Sequence, residues 1–307
     1  MKRERVFSKN GGYELCLDTN ALMHRESAEL GIGVLKKILA NYADDDRSSI
    51  EYSKNNDSST LHVLDLACGG LPVTLADILA HFTEQQFSYT GIDINHDQTE
   101  NLLNQFEFSV NVIDIKTITG TAWDLSDNKV KPHLRHQYDI IFSGFNFHHG
   151  TPEELYFLAQ QLHELLDPRG VFFNVDEYRP NDTNYVRRPN ESLDDSTESY
   201  LMVDPEKIKA NAYFSNIVEA NFEEAPQWKQ RLLKTFRTVL LNGGGESTVV
   251  ESLIEHVRKR DYPVSASEAS QIFKEVGFIA KADYHNKYYP DVPLAQYFAM
   301  LVATKSM

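Results

Sequence analysis

The stretch Leu61–Phe82, LHVLDLACGGLPVTLADILAHF, decides the fold of this 307-residue chain. It opens with Val63-Leu64-Asp65-Leu66, a short apolar run of the kind that fills a buried parallel strand. It then breaks into Ala67-Cys68-Gly69-Gly70, where only small side chains occur. After Pro72 the apolar residues Leu75, Ala76, Ile78 and Leu79 recur at helical spacing. Strand, small-residue turn and helix are the opening of a nucleotide-binding α/β unit. The bare turn lets a ligand lie against backbone N–H groups at a helix N-terminus.

The next strand, Phe87 to Ile92, runs into Asp93 and Ile94. Asp93 follows Gly69 by 24 positions, close to the ~20 expected of a carboxylate that grips ribose hydroxyls at the end of a second strand. VLDLACGG followed by GIDIN resembles motifs I and II of the class I S-adenosylmethionine-dependent methyltransferases. The resemblance implies that S-adenosyl-L-methionine lies on Asp65, Ala67, Cys68, Gly69 and Gly70, with Asp93 and Ile94 at its ribose. Asp65 within LDLACG separates this reading from an NAD-type G-x-G-x-x-G turn. One departure is plain. The family's D-x-G-x-G-x-G would put glycines at Ala67 and Leu71, and only Gly69 is kept, with Gly70 beside it.

Composition sets limits. With 45 acidic and 30 basic residues the net charge is −15, which argues against a nucleic-acid partner. A hydrophobic content of 41% suits a sizeable core. The cysteines Cys16 and Cys68 give neither a disulfide framework nor zinc spacing, so no metal is expected and Cys68 reads as a packing residue. Met1-Lys2-Arg3-Glu4-Arg5 has no apolar stretch behind it, and no run is long enough for a bilayer. The expectation is a soluble cytoplasmic protein with no membrane partner; the sequence leaves its oligomeric state unknown.

The chain divides into an N-terminal helical extension (1–60), a methyltransferase core (61–180 and 265–307) and a helical lid insertion (181–264). The extension holds helical spacing from Ala28 to Tyr42 and a polar linker up to Ser59. In the core, strands are expected at 110–118, 138–143 and 171–175, with a helix from 151 or 152 to 166 that Asp167-Pro168-Arg169-Gly170 stops. A helix over 265–275 and strands over 279–284 and 296–304 resemble the family's antiparallel closing pair. The expected fold is α/β: a Rossmann-like, mostly parallel seven-stranded sheet with helices on both faces. Lid helices are expected at 205–222, 226–241 and 246–260, with Gly243-Gly244-Gly245 as a hinge.

Other candidate site residues follow the strands. After the third, Thr121, Ala122, Trp123 and Asp124 stand where the family holds adenine: Trp123 would pack on the base, or Asp124 supply the carboxylate. After the fourth come Ser143, Gly144, Phe145, Asn146, Phe147, His148 and His149. Ligands bind outside the carboxyl ends of parallel strands, which puts this loop between cofactor and substrate. Ser143 and Phe145 are assigned to the cofactor and Asn146 to the substrate. Two adjacent histidines do not easily face one pocket. One, His148 in the first instance, reads as base or substrate contact, and the other as a cap on the helix that follows. The fifth strand ends in Asp176-Glu177-Tyr178-Arg179, and Glu177, Tyr178 and Arg179 are assigned to the substrate, Arg179 pairing a carboxylate of the substrate or of the lid.

The expected function is methyl transfer from S-adenosyl-L-methionine to a small-molecule acceptor. The loop after the fourth strand resembles the small-molecule branch of the family. The runner-up is a non-catalytic regulatory protein that binds S-adenosylmethionine or S-adenosylhomocysteine; Leu71 and Thr121, which depart from the family pattern, keep it open.

Overall fold

The computed structural model describes residues 12–44, 60–70, 72–105, 107–183, 226–260 and 263–306. Leu71, the linker over 45–59, the helix expected at 205–222 and most of the polar stretch before it lie outside the described residues.

Seven strands form one sheet in the order β3-β2-β1-β4-β5-β7-β6. They are β1 (Thr60–Leu66), β2 (Gln86–Asp93), β3 (Val112–Thr119), β4 (Tyr138–Gly144), β5 (Leu166–Glu177), β6 (Phe278–Tyr284) and β7 (Phe298–Lys305). The first five pair in parallel, and β7 runs antiparallel to both β5 and β6. The order reverses between β1 and β4, so the crevice at their carboxyl ends is the switch point where open α/β sheets bind ligands. The helices are α1 (Gly12–Asp18), α2 (His24–Asp44), α3 (Val73–Ala80), α4 (His96–Gln105), α5 (Pro152–Leu165), α6 (Gln227–Asn242), α7 (Ser247–Arg260) and α8 (Ala266–Val276).

The central strands are apolar on both faces because both faces are covered. Leu64, Leu66, Ile141 and Phe172 pack on one side with α5 and α8. Val63, Ile140, Phe142 and Phe173 pack on the other with α2 and α3. Helix starts follow their caps. Thr151 and Glu154 make a reciprocal capping box on α5, with Pro152 in its first turn, and Ser265 and Glu268 make another on α8. Gly277, at φ 107°, ends α8 in the left-handed conformation that glycine adopts without strain.

Two expectations change. The stop at Asp167–Gly170 is an excursion within β5 rather than a separate loop: α5 passes into β5 at Leu166, the register against β4 jumps from Tyr138↔Leu166 to Ile140↔Val171, and Arg169 N–H bonds Asp167 Oδ1 (2.9 Å). Gly243-Gly244-Gly245 is a packed corner rather than a hinge. A Cβ at Gly243 would come within 2.0 Å of Thr19 Cγ2, and one at Gly245 within 2.7 Å of Leu15 Cδ2, so these glycines let α1 close against the α6–α7 corner. Among the described residues no helix is long and apolar enough to cross a membrane.

Candidate active site

The turn after β1 has the shape of a candidate ligand cradle. Ala67 and Gly69 both have left-handed backbones, at φ 55° and 59°. Cys68 N–H donates to Ile92 O (2.9 Å) and Gly69 N–H to Asp93 Oδ2 (2.8 Å), which ties the turn to the end of β2. The other Asp93 oxygen, Oδ1, accepts from Asn95 N–H (2.9 Å). A Cβ at Gly69 would meet no atom within 4 Å, so this glycine leaves open space beside the backbone. Gly91 serves a different need: a Cβ there would lie 2.8 Å from Cys68 Sγ. Cys68 is a packing residue, and burial pushes its thiol well up.

Asp65 lies beneath this turn, 2% exposed, and accepts from Tyr89 O–H (2.8 Å). Burial pushes its carboxyl up to about 8; the tyrosine bond opposes that and the nearby Asp93 charge adds to it. It therefore supports the cradle from within the protein. Ile94, beside Asp93, is exposed. Ala67 occupies a conformation that costs a non-glycine residue about 1–2 kcal/mol. Replacing it by glycine removes that cost and adds ~0.4–1 kcal/mol of unfolded-state entropy. Ala67→Gly is expected to raise the urea midpoint of unfolding modestly; a lower midpoint would contradict the reading of strain.

The segment after β3 departs from expectation. Trp123 is 2% exposed and sits in the core against Phe147, with Gly150 lacking the Cβ that would strike its ring at 2.2 Å. It does not lie open for an adenine to stack on. Its indole N–H donates to Asn146 Oδ1 (3.0 Å). Asp124 is also buried and folds back on Ser126, accepting its N–H (3.1 Å) and O–H (2.5 Å). Thr121 Oγ1 accepts Trp123 N–H (3.2 Å), and Ala122 is buried in the core. Of these four side chains Thr121 remains half-exposed.

The loop after β4 is held by Asp176, a fully buried carboxylate at the end of β5. Its Oδ2 accepts N–H from Asn146 (2.7 Å) and Phe147 (2.6 Å); its Oδ1 accepts Glu177 N–H (2.7 Å) and His148 Nδ1 (2.5 Å). A carboxylate only accepts, so Nδ1 carries the hydrogen and Nε2 is the imidazole's acceptor. Phe145 turns the chain at φ 55°, its ring against His24 (5.0 Å) and Phe298 (6.2 Å). Ser143 is fully buried, and its carbonyl accepts from Asn174 Nδ2 (3.0 Å).

The expectation that the two histidines diverge is overturned. Residues 147–149 form one turn of 3-10 helix, and the His148 and His149 rings lie 3.9 Å apart. His149 also meets His256 of α7 edge-on at 6.0 Å. Neither caps α5, whose cap is Thr151. Two of the three β5-end substrate candidates turn inward. Tyr178 is fully buried and donates to Asn174 Oδ1 (2.5 Å). Arg179 is 2% exposed, ion-paired with Glu268 and bonded to the Thr183 carbonyl, so its partner belongs to α8 and not to a ligand. Glu177 is buried at the strand end.

Sequence reasoning expected the helix around Ala28 to Tyr42 beside the lid but did not reach the polar contacts that anchor it. His24, at the start of α2, meets Thr74 of α3 (Nδ1···Oγ1 2.6 Å), and Ser27 meets His285 Nε2 (3.0 Å) in the β6–β7 connection. It also missed the clamp role of Asp176, which only its place beside the β4 loop reveals. Helices α6 and α7 pack with α1 through Trp228, Leu232, Phe236, Leu253 and Ile254 around Phe298. Among the described residues no His, Cys, Asp and Glu side chains are grouped to hold a metal ion.

No family model matches the sequence. A Synechocystis sp. protein named uncharacterized methyltransferase sll0829 is 27% identical over 118 residues, which is 38% of this chain and 48% of that protein. The chain thus spans about half the length of this curated relative. Among solved structures, a possible exported protein from Bordetella parapertussis has a TM-score of 0.47 and 12% identity, covering 80% of this chain and 62% of that one. Human N-acetylserotonin methyltransferase in complex with SAM has a TM-score of 0.43 and 10% identity, covering 80% and 48%. The turn with Asp93 at its rim and the sheet order with its antiparallel closing pair make a Rossmann-like α/β fold, and over 118 residues the chain is similar to the Synechocystis methyltransferase.

Proposed function

We propose that the protein is an S-adenosylmethionine-dependent methyltransferase acting on a small-molecule acceptor. The observation that carries this reading is the Gly69–Asp93 bridge: an open, left-handed glycine turn whose amide bonds a carboxylate at the rim of the strand ends. The donor set fits the cofactor. Asp93 accepts Gly69 N–H at Oδ2 and Asn95 N–H at Oδ1, and an acceptor-only carboxylate held this way would suit ribose hydroxyls. Ala67, Cys68, Gly69 and Gly70 would hold the cofactor along the open side of the turn, with Ile94 and Thr121 beside its nucleoside and Phe145 toward the methyl group; the Cys68 and Gly69 amides themselves keep the turn in shape. Bound S-adenosylmethionine supplies an electrophilic methyl group on a positively charged sulfur.

The chain's own residues do the rest. Asp176 fixes the ring of His148 with Nδ1–H toward itself, so Nε2 is oriented to take a proton from an acceptor hydroxyl. The buried carboxylate then stabilises the imidazolium that forms. Helices α6 and α7 pack with α1 around Phe298 and against Phe145, which supports a lid that would exclude water from the reacting atoms. Asn146 and Glu177 line the acceptor side, and the net charge of −15 disfavours a polyanionic acceptor.

Calorimetry tests the reading. S-adenosylhomocysteine should bind in the micromolar range, and Asp93→Ala should lower its affinity by about 10-fold to 100-fold through loss of charge-assisted hydrogen bonds. Unchanged affinity in that variant, or tighter binding of NAD, would sink the assignment.

A further inference from the structure

Asn146 is 5% exposed, and its amide nitrogen Nδ2 is buried without a hydrogen-bond partner. An unbonded buried donor costs about 1–3 kcal/mol, so native proteins keep few of them. The amide does not escape this cost by turning over. The Trp123 indole N–H can only donate, and it is 3.0 Å from the Asn146 side chain, so Oδ1 must face the indole and the NH2 group must face away. The main chain is equally fixed, since Asn146 N–H is bonded to Asp176 Oδ2. The same carboxylate holds His148 two residues on. One buried anion therefore sets, side by side in a single turn, a donor with a fixed direction and an imidazole with a fixed tautomer.

Resting on the methyltransferase reading above, we propose that Asn146 selects the acceptor: its NH2 group, aimed by Trp123, donates to an oxygen that neighbours the hydroxyl deprotonated by His148. The substrate class is a small molecule carrying a hydroxyl with a carbonyl, carboxylate or ether oxygen on the same or the adjacent carbon. An isolated alcohol leaves the amide unbonded, and a thiol or an amine lacking that oxygen does the same. Trp123 acts through Asn146 and is a positioning residue, which accounts for a buried tryptophan whose polar atom points at the loop rather than at solvent.

The test supplies methyl-labelled S-adenosylmethionine and a metabolite extract to the full chain, and reads both the amount of labelled product and its structure. The wild type should label products whose new methyl sits on an oxygen with a second oxygen beside it. Asn146→Leu should lower that labelling about 10-fold or more, the worth of one hydrogen bond to a buried site, while S-adenosylhomocysteine affinity by calorimetry stays unchanged. If Asn146→Leu does not bind S-adenosylhomocysteine, Asn146→Asp takes its place, since it keeps the acceptor for Trp123 and loses the donor. Trp123→Phe frees the amide to turn over, so it should additionally label molecules with an N–H or O–H at the neighbouring position. A merely structural role would not move that selectivity. Wild-type rates and an unchanged product set in the Asn146 variant overturn the proposal alone, as does a methyl found on carbon, sulfur, nitrogen or an isolated hydroxyl. A wild type that labels nothing overturns the methyltransferase reading and the proposal with it.

Discussion

Asp176→Leu is expected to abolish both activity and the native loop after β4, and to cost more stability than any other single change at the site. The leucine fills similar space but leaves the amides of Asn146, Phe147 and Glu177 in a fully buried region without an acceptor. Each orphaned donor costs about 1–3 kcal/mol, so the sum is comparable to the whole stability of an ordinary domain, about 5–15 kcal/mol. Asp176→Asn is the informative companion. It keeps one acceptor oxygen but sets an NH2 group against donors, and His148 Nδ1 loses the carboxylate that fixes its tautomer. That variant should still fold and bind S-adenosylhomocysteine, with methyl transfer reduced by roughly 100-fold or more, as when an orienting carboxylate is removed from a histidine base. Urea unfolding followed by circular dichroism, with calorimetry on whatever folds, separates the two. An Asp176→Leu protein as stable as the wild type would show that the clamp contributes nothing.

The division between what was legible and what was not follows the range of the interactions. The strand–turn–helix of 61–82, the position of Asp93 and the closing helix and strands are local patterns, readable from periodicity and caps. The sheet order is consistent with them because each β-α unit is short and self-contained. Side-chain direction was not legible. Trp123, Asp124, Tyr178 and Arg179 carry chemistry that suits ligands, and each turns into the protein because a protein partner claims it, near in the chain for Asp124 (Ser126) and Tyr178 (Asn174) and far along it for the other two. Arg179 meets Glu268 across 89 residues, and Trp123 meets Asn146 across 23. The rule that successive residues point apart is a strand rule. His148 and His149 break it because they occupy a 3-10 turn, where spacing per residue differs. The glycine run at 243–245 misled for a related reason: glycine signals either freedom or close approach, and only Thr19 and Leu15, more than 200 residues away, decide for close approach.

The same long-range logic makes α2 the acid-sensitive part of the fold. His24 and His285 are both almost wholly buried, and burial lowers each from 6.5 to about 4. Both are therefore neutral at neutral pH, hydrogen-bonded to Thr74 and Ser27 respectively. Unfolding exposes them and restores the ordinary value, so the unfolded chain binds protons that the folded chain refuses. The sign follows: their contribution is complete above pH 6.5 and is lost as the pH falls toward 4. A fall from 6.5 to about 4 corresponds to about 3 kcal/mol per histidine, so the pair commands several kcal/mol. Because one partner is at the start of α2 and the other bonds Ser27 within it, protonation should free this helix from α3 and from the β6–β7 connection. Carboxylates titrate in the same range, so the wild type alone does not isolate the effect. The double variant His24→Gln/His285→Gln keeps side-chain hydrogen bonding and removes the titration. Its urea midpoint should drop much less than the wild type's between pH 7.5 and pH 4.5. Equal drops in the two proteins would mean that these histidines do not govern acid stability, and that the N-terminal helix is held by its apolar face, Leu35 among it, alone.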